Sequence, residues 1–333
     1  MRFILGVPVL CFLVGQPSHA FYINGFNFAN WPNGYGSPLA EESLGQLAKS
    51  GANWVALVPS IYMETAQSSA FVAGDDTPNF SELDAMTRHT KSLGIKVALK
   101  PHVNVLDGKF RGFINPRDPE VWFRNYKKIC LYYARFAQER HLDLLVVGTE
   151  LISMTQPRYQ KYWQDIIKEA RSVYSGPITY ASFWTEWENV GFWQELDFIG
   201  VDAYFPMGLP GSGGNHGRLI RVWKQYYIPK LKAAAGRYGI PILFTEVGVS
   251  SQKEAYVLPS YHKRLTMVDT QGQAEYMTAF LAAFEGETSW FAGFFLWVWT
   301  TDPAAGGLDN ASHTVQNKPA LEILNRYFKG RQN

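Results

Sequence analysis

Two hydrophobic runs in this chain end on a glutamate. Leu144-Leu145-Val146-Val147-Gly148-Thr149 leads into Glu150, and Ile242-Leu243-Phe244-Thr245 leads into Glu246. A carboxyl at the end of a buried strand sits where desolvation and nearby charges set its protonation. Two of them converging from different strands suit the cleavage of a glycosidic bond. One protonates the departing oxygen and the other attacks the anomeric carbon, at about 5–5.5 Å separation when configuration is retained. Their environments must then split their pKa values. The alternative is structural: each glutamate caps a helix N-terminus or pairs with a Lys or Arg on the rim. The two segments by themselves leave both readings open.

Other polar and aromatic residues fall at comparable positions. Lys100 and His102 alternate at the end of a third run, Asp202 and Tyr204 at the end of a sixth, and Asn27 closes the first. His102 reads as a sugar-hydroxyl contact, Lys100 as a polar floor residue, and Asp202 as an orienting or structural acid. No second His or Asp stands near His102 at ligand spacing, so no metal is implied, and no cofactor is required. Trp184 and Trp187 follow the fifth run and are candidate cleft walls. The neighbouring Glu186 and Glu188 are rival carboxylates whose irregular setting points to the rim. Strand alternation pairs Gly148 with Glu150, Phe244 with Glu246, and Trp297 with Trp299 on shared faces.

These residues need a frame. Strand-like segments occur at Phe21–Asn27, Trp54–Val58, Lys96–Pro101, Leu144–Gly148, Ile178–Ser182, Phe198–Tyr204, Ile242–Glu246 and Phe291–Trp297. Most are short β-branched or aromatic runs, as in parallel strands buried on both faces. Helical patterns lie between them. Ser81 and Asp84 form a candidate capping box before Met86–Leu93, and Gly94 ends that helix. Asp118-Pro119 opens a long helix through Ala137, Gln156-Pro157 opens another, and Ile220–Arg237 stops before Gly239. Gln271–Phe284 and Pro319–Phe328 supply the last two. Eight alternations over more than ~250 residues predict a single (β/α)8 TIM barrel, whose site lies at the C-terminal ends of its strands. A doubly wound sheet is the alternative, but no G-x-G-x-x-G follows the first strand.

Composition narrows the class. Of the 333 residues, 47% are hydrophobic and 18% charged, which supports a large core rather than disordered tails. A net charge of +2 without a basic patch argues against nucleic-acid or anionic-membrane partners. Met1-Arg2, the apolar run Ile4–Val14 and Ser18-His19-Ala20 have the layout of a secretory signal over residues 1–20. The expected catalytic domain is therefore 21–333, secreted or periplasmic, with no later run long enough to span a membrane. Cys11 leaves with the signal, so Cys130 has no internal partner and reads as a small buried hydrophobe.

The ordered segments Leu99-Lys100-Pro101-His102-Val103, Arg111-Gly112-Phe113-Ile114, Val147-Gly148-Thr149-Glu150-Leu151, Phe192-Trp193, Leu196–Pro206, Phe244-Thr245-Glu246-Val247-Gly248 and Phe295-Leu296-Trp297 run from the third strand to the eighth. Glutamates ending strands four and seven resemble the acid/base and nucleophile of clan A glycoside hydrolases. The segments are most similar to glycoside hydrolase family 113, whose known members degrade β-mannans. The resemblance implies a retaining mechanism with Glu150 as acid/base and Glu246 as nucleophile. It implies Tyr204 as the nucleophile's hydrogen-bond donor and Trp297 as the floor of the catalytic subsite. The expected partner is an oligo- or polysaccharide, β-mannan or glucomannan first and another β-glycan second. An inactive secreted carbohydrate-binding protein is the reading from another class. Many clan A enzymes carry Asn before the acid/base, where it bonds the sugar 2-hydroxyl; this chain has Thr149, so that contact must come from elsewhere.

Overall fold

The computed structural model describes residues 22–260 and 267–330. The expected signal at 1–20, and Phe21 at the start of the first predicted strand, lie outside them.

Eight parallel strands close into a barrel. They are β1 (Ile23–Ala29), β2 (Trp54–Val58), β4 (Lys96–Leu99), β6 (Leu144–Thr149), β7 (Ile178–Phe183), β8 (Ile199–Asp202), β9 (Ile242–Val247) and β10 (Phe291–Thr300). Neighbours around the ring follow chain order, and β10 pairs with β1 to close it. The predicted (β/α)8 TIM barrel is the observed fold. Two further strands, β3 (Ser60–Met63) and β5 (His102–Val105), continue the chain past Pro59 and Pro101 as a separate parallel pair. This pair had no period of its own in the sequence, and it carries His102 and Asn104 above the barrel rim.

The helices are α1 (Pro38–Ala48), α2 (Phe80–Ser92), α3 (Pro119–Glu139), α4 (Gln160–Val173), α5 (His216–Val222), α6 (Ile228–Tyr238), α7 (Thr270–Phe284) and α8 (Pro319–Lys329). Asp118 caps α3 as expected, its side chain accepting from the Val121 N–H. The predicted box at Ser81 and Asp84 is displaced: Asn79 caps α2 and Glu82 returns the bond to the Asn79 N–H. Asn79 competes better than Ser81 for the cap because Glu82 stands at the third helical position to complete the box. Asp84 instead pairs with Arg88 and Arg140. The single helix expected over 220–237 is α5 and α6 joined by a wide turn at Trp223–Tyr227. It stops at Gly239, whose φ of 70° is the left-handed conformation glycine adopts without penalty.

The barrel's lower interior is an apolar plug of Ile23, Trp54, Ala56, Ala98, Leu144, Leu243 and Phe295. Gly25 is required there, because a Cβ would lie 2.6 Å from the Phe295 ring. The larger core lies between the strands and the helices, where Trp122, Trp163, Trp223, Phe244 and Phe280 are fully buried. Aromatic burial on this scale, with edge-to-face and stacked pairs throughout, rigidifies the wall that carries the site. Cys130 belongs to it: its thiol reaches the Val147 carbonyl at 3.5 Å, and burial pushes its pKa up to about 12.

Candidate active site

Above the apolar plug the interior turns polar. Glu246 ends β9, is 3% exposed, and has both oxygens occupied. Its Oε1 accepts from the Lys100 ammonium, and its Oε2 accepts from the Tyr204 hydroxyl at 2.5 Å. Lys100, just past β4, is 1% exposed, with Asp202 Oδ1 3.5 Å from its Nζ. Asp202 Oδ1 also accepts from Thr245 Oγ1 at 2.7 Å. Burial first, and then the charge of Glu246, push the Asp202 carboxyl well above the usual carboxylate range. Of the two acids, Glu246 lies the closer to the Lys100 ammonium.

Glu150 follows β6 in a left-handed conformation, φ 53°, which costs a non-glycine residue of order 1–3 kcal/mol. Its N–H donates to the Ala181 carbonyl on β7 at 2.8 Å. Its Oε2 accepts from Arg111 Nη1 at 3.0 Å. Arg111 is anchored in turn by the Val103 carbonyl and by Asn104 Oδ1. Burial raises the Glu150 pKa to about 7; Arg111 and Lys100 oppose the rise, and the charges of Glu246 and Glu186 add to it. The two glutamates thus have different settings: Glu246 is a carboxylate held by two donors, and Glu150 a carboxyl that keeps its proton to neutral pH.

His102 lies flat against Trp297, ring centroids 5.5 Å apart and planes inclined by 15°. Burial, with Arg111 and Lys100 nearby, lowers its pKa well below the ordinary histidine value, so the ring is neutral. Its Nε2 stands 3.6 Å from Glu246 Oε1, too far for a hydrogen bond, and has no other hydrogen-bond partner among the described residues. A neutral imidazole nitrogen in that position is available to a substrate hydroxyl. Trp297 is half-buried, with the Lys100 ammonium 5.6 Å from its ring centre and Trp31 beside it. Asn27 is fully buried deeper in the barrel, its amide donating to the Thr245 and Leu296 carbonyls. It supports β9 and β10 rather than reaching the mouth as a subsite contact.

The expected faces need correction at three places. The Gly148 Cβ position points at Trp163 and Tyr180 in the helix layer, while Glu150 turns to Arg111 at the mouth. Phe244 packs outward on Trp223 and Phe284, while Glu246 points inward. Trp299 packs outward on Phe26 and donates to Ser43 Oγ, on the other side of the strand from the mouth where Trp297 stacks. In each case the register of the strand shifts, between Val146 and Thr149 on β6, between Phe244 and Glu246 on β9, and between Leu296 and Trp299 on β10. A bulge inserts a residue and re-aims the side chains beyond it, so simple alternation fails beside the site.

The loop after β7 also differs from expectation. Trp187 is 6% exposed and belongs to the core rather than to an open cleft wall. Trp184 is half-buried against Phe183 and Phe205. Glu188 is exposed at the rim, as expected. Glu186 is not: it is 4% exposed, and burial raises its pKa to about 7. Arg111 has no assigned role in the sequence, and Glu186 reads there as a rim acid. Arg111 stands in one of the segments that carry the family resemblance, whereas nothing local marked Glu186 as buried.

The Glycoside Hydrolase Family 113 profile matches residues 25–318. The fold is shared by a family 113 β-mannanase from Alicyclobacillus acidocaldarius, solved in complex with ManMIm, at TM-score 0.83 and 28% identity over 93% of this chain and 98% of that one. A second family 113 structure, a β-1,4-mannanase, matches at TM-score 0.83 and 28% identity over 93% of this chain and all of the other. A β-glucuronidase from Faecalibacterium prausnitzii shares the fold alone, at TM-score 0.63 and 14% identity over 93% of this chain and 49% of the other. No curated protein sequence matches. With the profile spanning nearly the whole barrel, this chain belongs to glycoside hydrolase family 113 and is a glycoside hydrolase.

Proposed function

We propose that the enzyme cleaves β-1,4-mannosidic bonds in mannan or glucomannan by double displacement, with Glu246 as nucleophile and Glu150 as acid/base. The observation that carries this assignment is the opposite setting of the two carboxyls. Lys100 and Tyr204 hold Glu246 as an anion, while burial keeps Glu150 protonated up to a pKa of about 7.

The steps follow from those states. Glu246 attacks the anomeric carbon as Glu150 gives its proton to the departing glycosidic oxygen, leaving a glycosyl ester on Glu246. Glu150, now ionised and steadied by Arg111, takes a proton from water, which attacks the same carbon and releases Glu246. Each step inverts the centre, and the product keeps the configuration of the substrate. Trp297 offers a flat face beneath the reacting sugar. Thr149 turns its hydroxyl to the Pro101 carbonyl at 3.4 Å, so the sugar 2-hydroxyl finds its partner in His102 Nε2, beside the nucleophile. Mannan as substrate is supported by the two β-mannanases of the same family.

Reducing-sugar release from β-mannan, glucomannan, β-glucan and β-galactan tests both parts. Mannans are cut in preference, and Glu246→Ala and Glu150→Ala lose that activity. Preference for glucan or galactan replaces the substrate; binding without release by the wild type replaces the enzyme with a binding protein. Residues 1–20 act as a cleaved export signal, which places Phe21 at the N-terminus of the secreted chain; N-terminal sequencing reads it directly.

A further inference from the structure

The left-handed turn at Glu150 is held from below by a second buried carboxyl. The Leu151 N–H, immediately after Glu150, donates to the Tyr180 hydroxyl at 2.8 Å, and that hydroxyl donates to Glu186 Oε1 at 2.9 Å. Thr155, four residues further along the same loop, donates its hydroxyl to the same oxygen at 2.5 Å. Glu186 Oε2 accepts from the Phe183 N–H at 3.0 Å at the end of β7. Glu186 therefore ties both ends of the segment 151–155 to β7, the strand that also takes the Glu150 N–H.

We propose that Glu186 is a positioning residue for Glu150, acting through Tyr180 on the Leu151 peptide and through its charge on the Glu150 proton. The inference rests on the acid/base role proposed for Glu150. Among the described residues no cation pairs with Glu186: its three donors are neutral, and it is almost fully buried. A surface-rim acid would need none of this. A buried carboxyl without a countercharge is costly unless its hydrogen bonds are complete, and here they terminate on the loop that bears Glu150. The groups that set the Glu150 proton are Arg111, Lys100, Glu246 and Glu186. The first two favour the anion. Burial raises the Glu186 pKa to about 7 as well, so its charge develops over the same pH range in which Glu150 loses its proton.

Two variants separate the parts. Glu186→Gln keeps an oxygen to accept from Tyr180 and Thr155 but removes the charge; the alkaline limb of its kcat/KM profile moves to lower pH. Tyr180→Phe breaks the relay; kcat/KM on an unactivated oligosaccharide falls by roughly tenfold or more, as for loss of a buried hydrogen bond. The kcat/KM of an aryl glycoside with a good leaving group, whose first step needs little protonation, is spared in the same variant. An alkaline limb that stays in place in Glu186→Gln, or equal losses on both substrates in Tyr180→Phe, overturns the proposal. Glu150→Ala is run alongside. If its kcat/KM on the activated substrate falls as far as on the unactivated one, the acid/base assignment itself is at fault rather than the relay.

Discussion

Lys100 and Glu246 form an ion pair inside the barrel mouth, the ammonium and the carboxylate both almost completely shielded from solvent. Burial and the charge of Glu246 push up the pKa of Asp202, the other carboxyl within reach of Lys100. The ammonium lies closer to Glu246, the proposed nucleophile. Lys100→Met leaves Glu246 buried without its countercharge. Breaking a buried pair from one side costs about 3–5 kcal/mol, so the variant is expected to unfold at clearly lower denaturant and to lose most of its turnover. Wild-type turnover in a folded Lys100→Met protein would separate the pair from the chemistry.

Tyr204 supplies the second bond to Glu246, at 2.5 Å. Tyr204→Phe keeps the ring and its edge contact with His313 but removes the donor. A hydrogen bond to a charged acceptor is worth about 1.5–3 kcal/mol, so the unfolding midpoint should fall measurably and kcat roughly ten- to hundredfold. Steady-state kinetics and thermal unfolding on the same preparation check both halves.

The pH profile follows from Glu150. Its proton is needed for the first step and is lost through a pKa of about 7, so kcat/KM declines as pH rises through that value. Arg111 stabilises the anion at 3.0 Å, so Arg111→Met moves the decline to higher pH. A limb that stays in place or moves down in this variant would contradict the assignment of the proton to Glu150.

The same pKa sets a stability trend. Burial raises Glu150 from 4.5 to about 7, so between these values the unfolded chain releases a proton that the folded chain keeps. Folded stability therefore falls as pH rises through that window, and the loss is complete above it. Glu150→Gln removes the titration. Its stability relative to wild type should improve from pH 5 to pH 8 by about 1–3 kcal/mol, read from denaturant melts at the two pH values. An equal difference at both would show that the raised pKa is absent.

His102 and Trp297 form one stacked unit beside Glu246. His102→Ala should lower kcat/KM on mannosides by roughly ten- to a hundredfold through loss of a hydroxyl contact, and narrow the preference for mannosides over glucosides. Kinetics on matched aryl mannoside and glucoside pairs show whether discrimination at the 2-hydroxyl passes through this ring; an unchanged ratio would place it elsewhere.

The barrel was legible because its strands are short apolar runs separated by capped helices, and Asp118-Pro119 and Gly239 marked their boundaries where predicted. Glu150 and Glu246 were legible as the polar ends of such runs. Their aim was not. Period-two alternation put Phe244 and Glu246 on one face, whereas a bulge in β9 sends Phe244 into the helix layer and Glu246 into the barrel. Glu150 is aimed by a left-handed φ that no neighbouring glycine advertised. Glu186 looked like a loop acid because burial of a loop carboxyl depends on partners 6 and 31 residues away, Tyr180 and Thr155. Likewise the Lys100–Glu246 pair spans 146 positions and leaves no local pattern.

The most direct test is to trap the covalent intermediate. A 2-deoxy-2-fluoro mannosyl donor with an activated leaving group slows the second step, so the sugar should remain on the enzyme and map, by peptide mass spectrometry, to Glu246. One sugar per chain on that residue, with no labelling of Glu246→Ala, is the predicted result. Label on any other carboxylate, or an active wild type that releases product of inverted configuration and takes up no label, would contradict it.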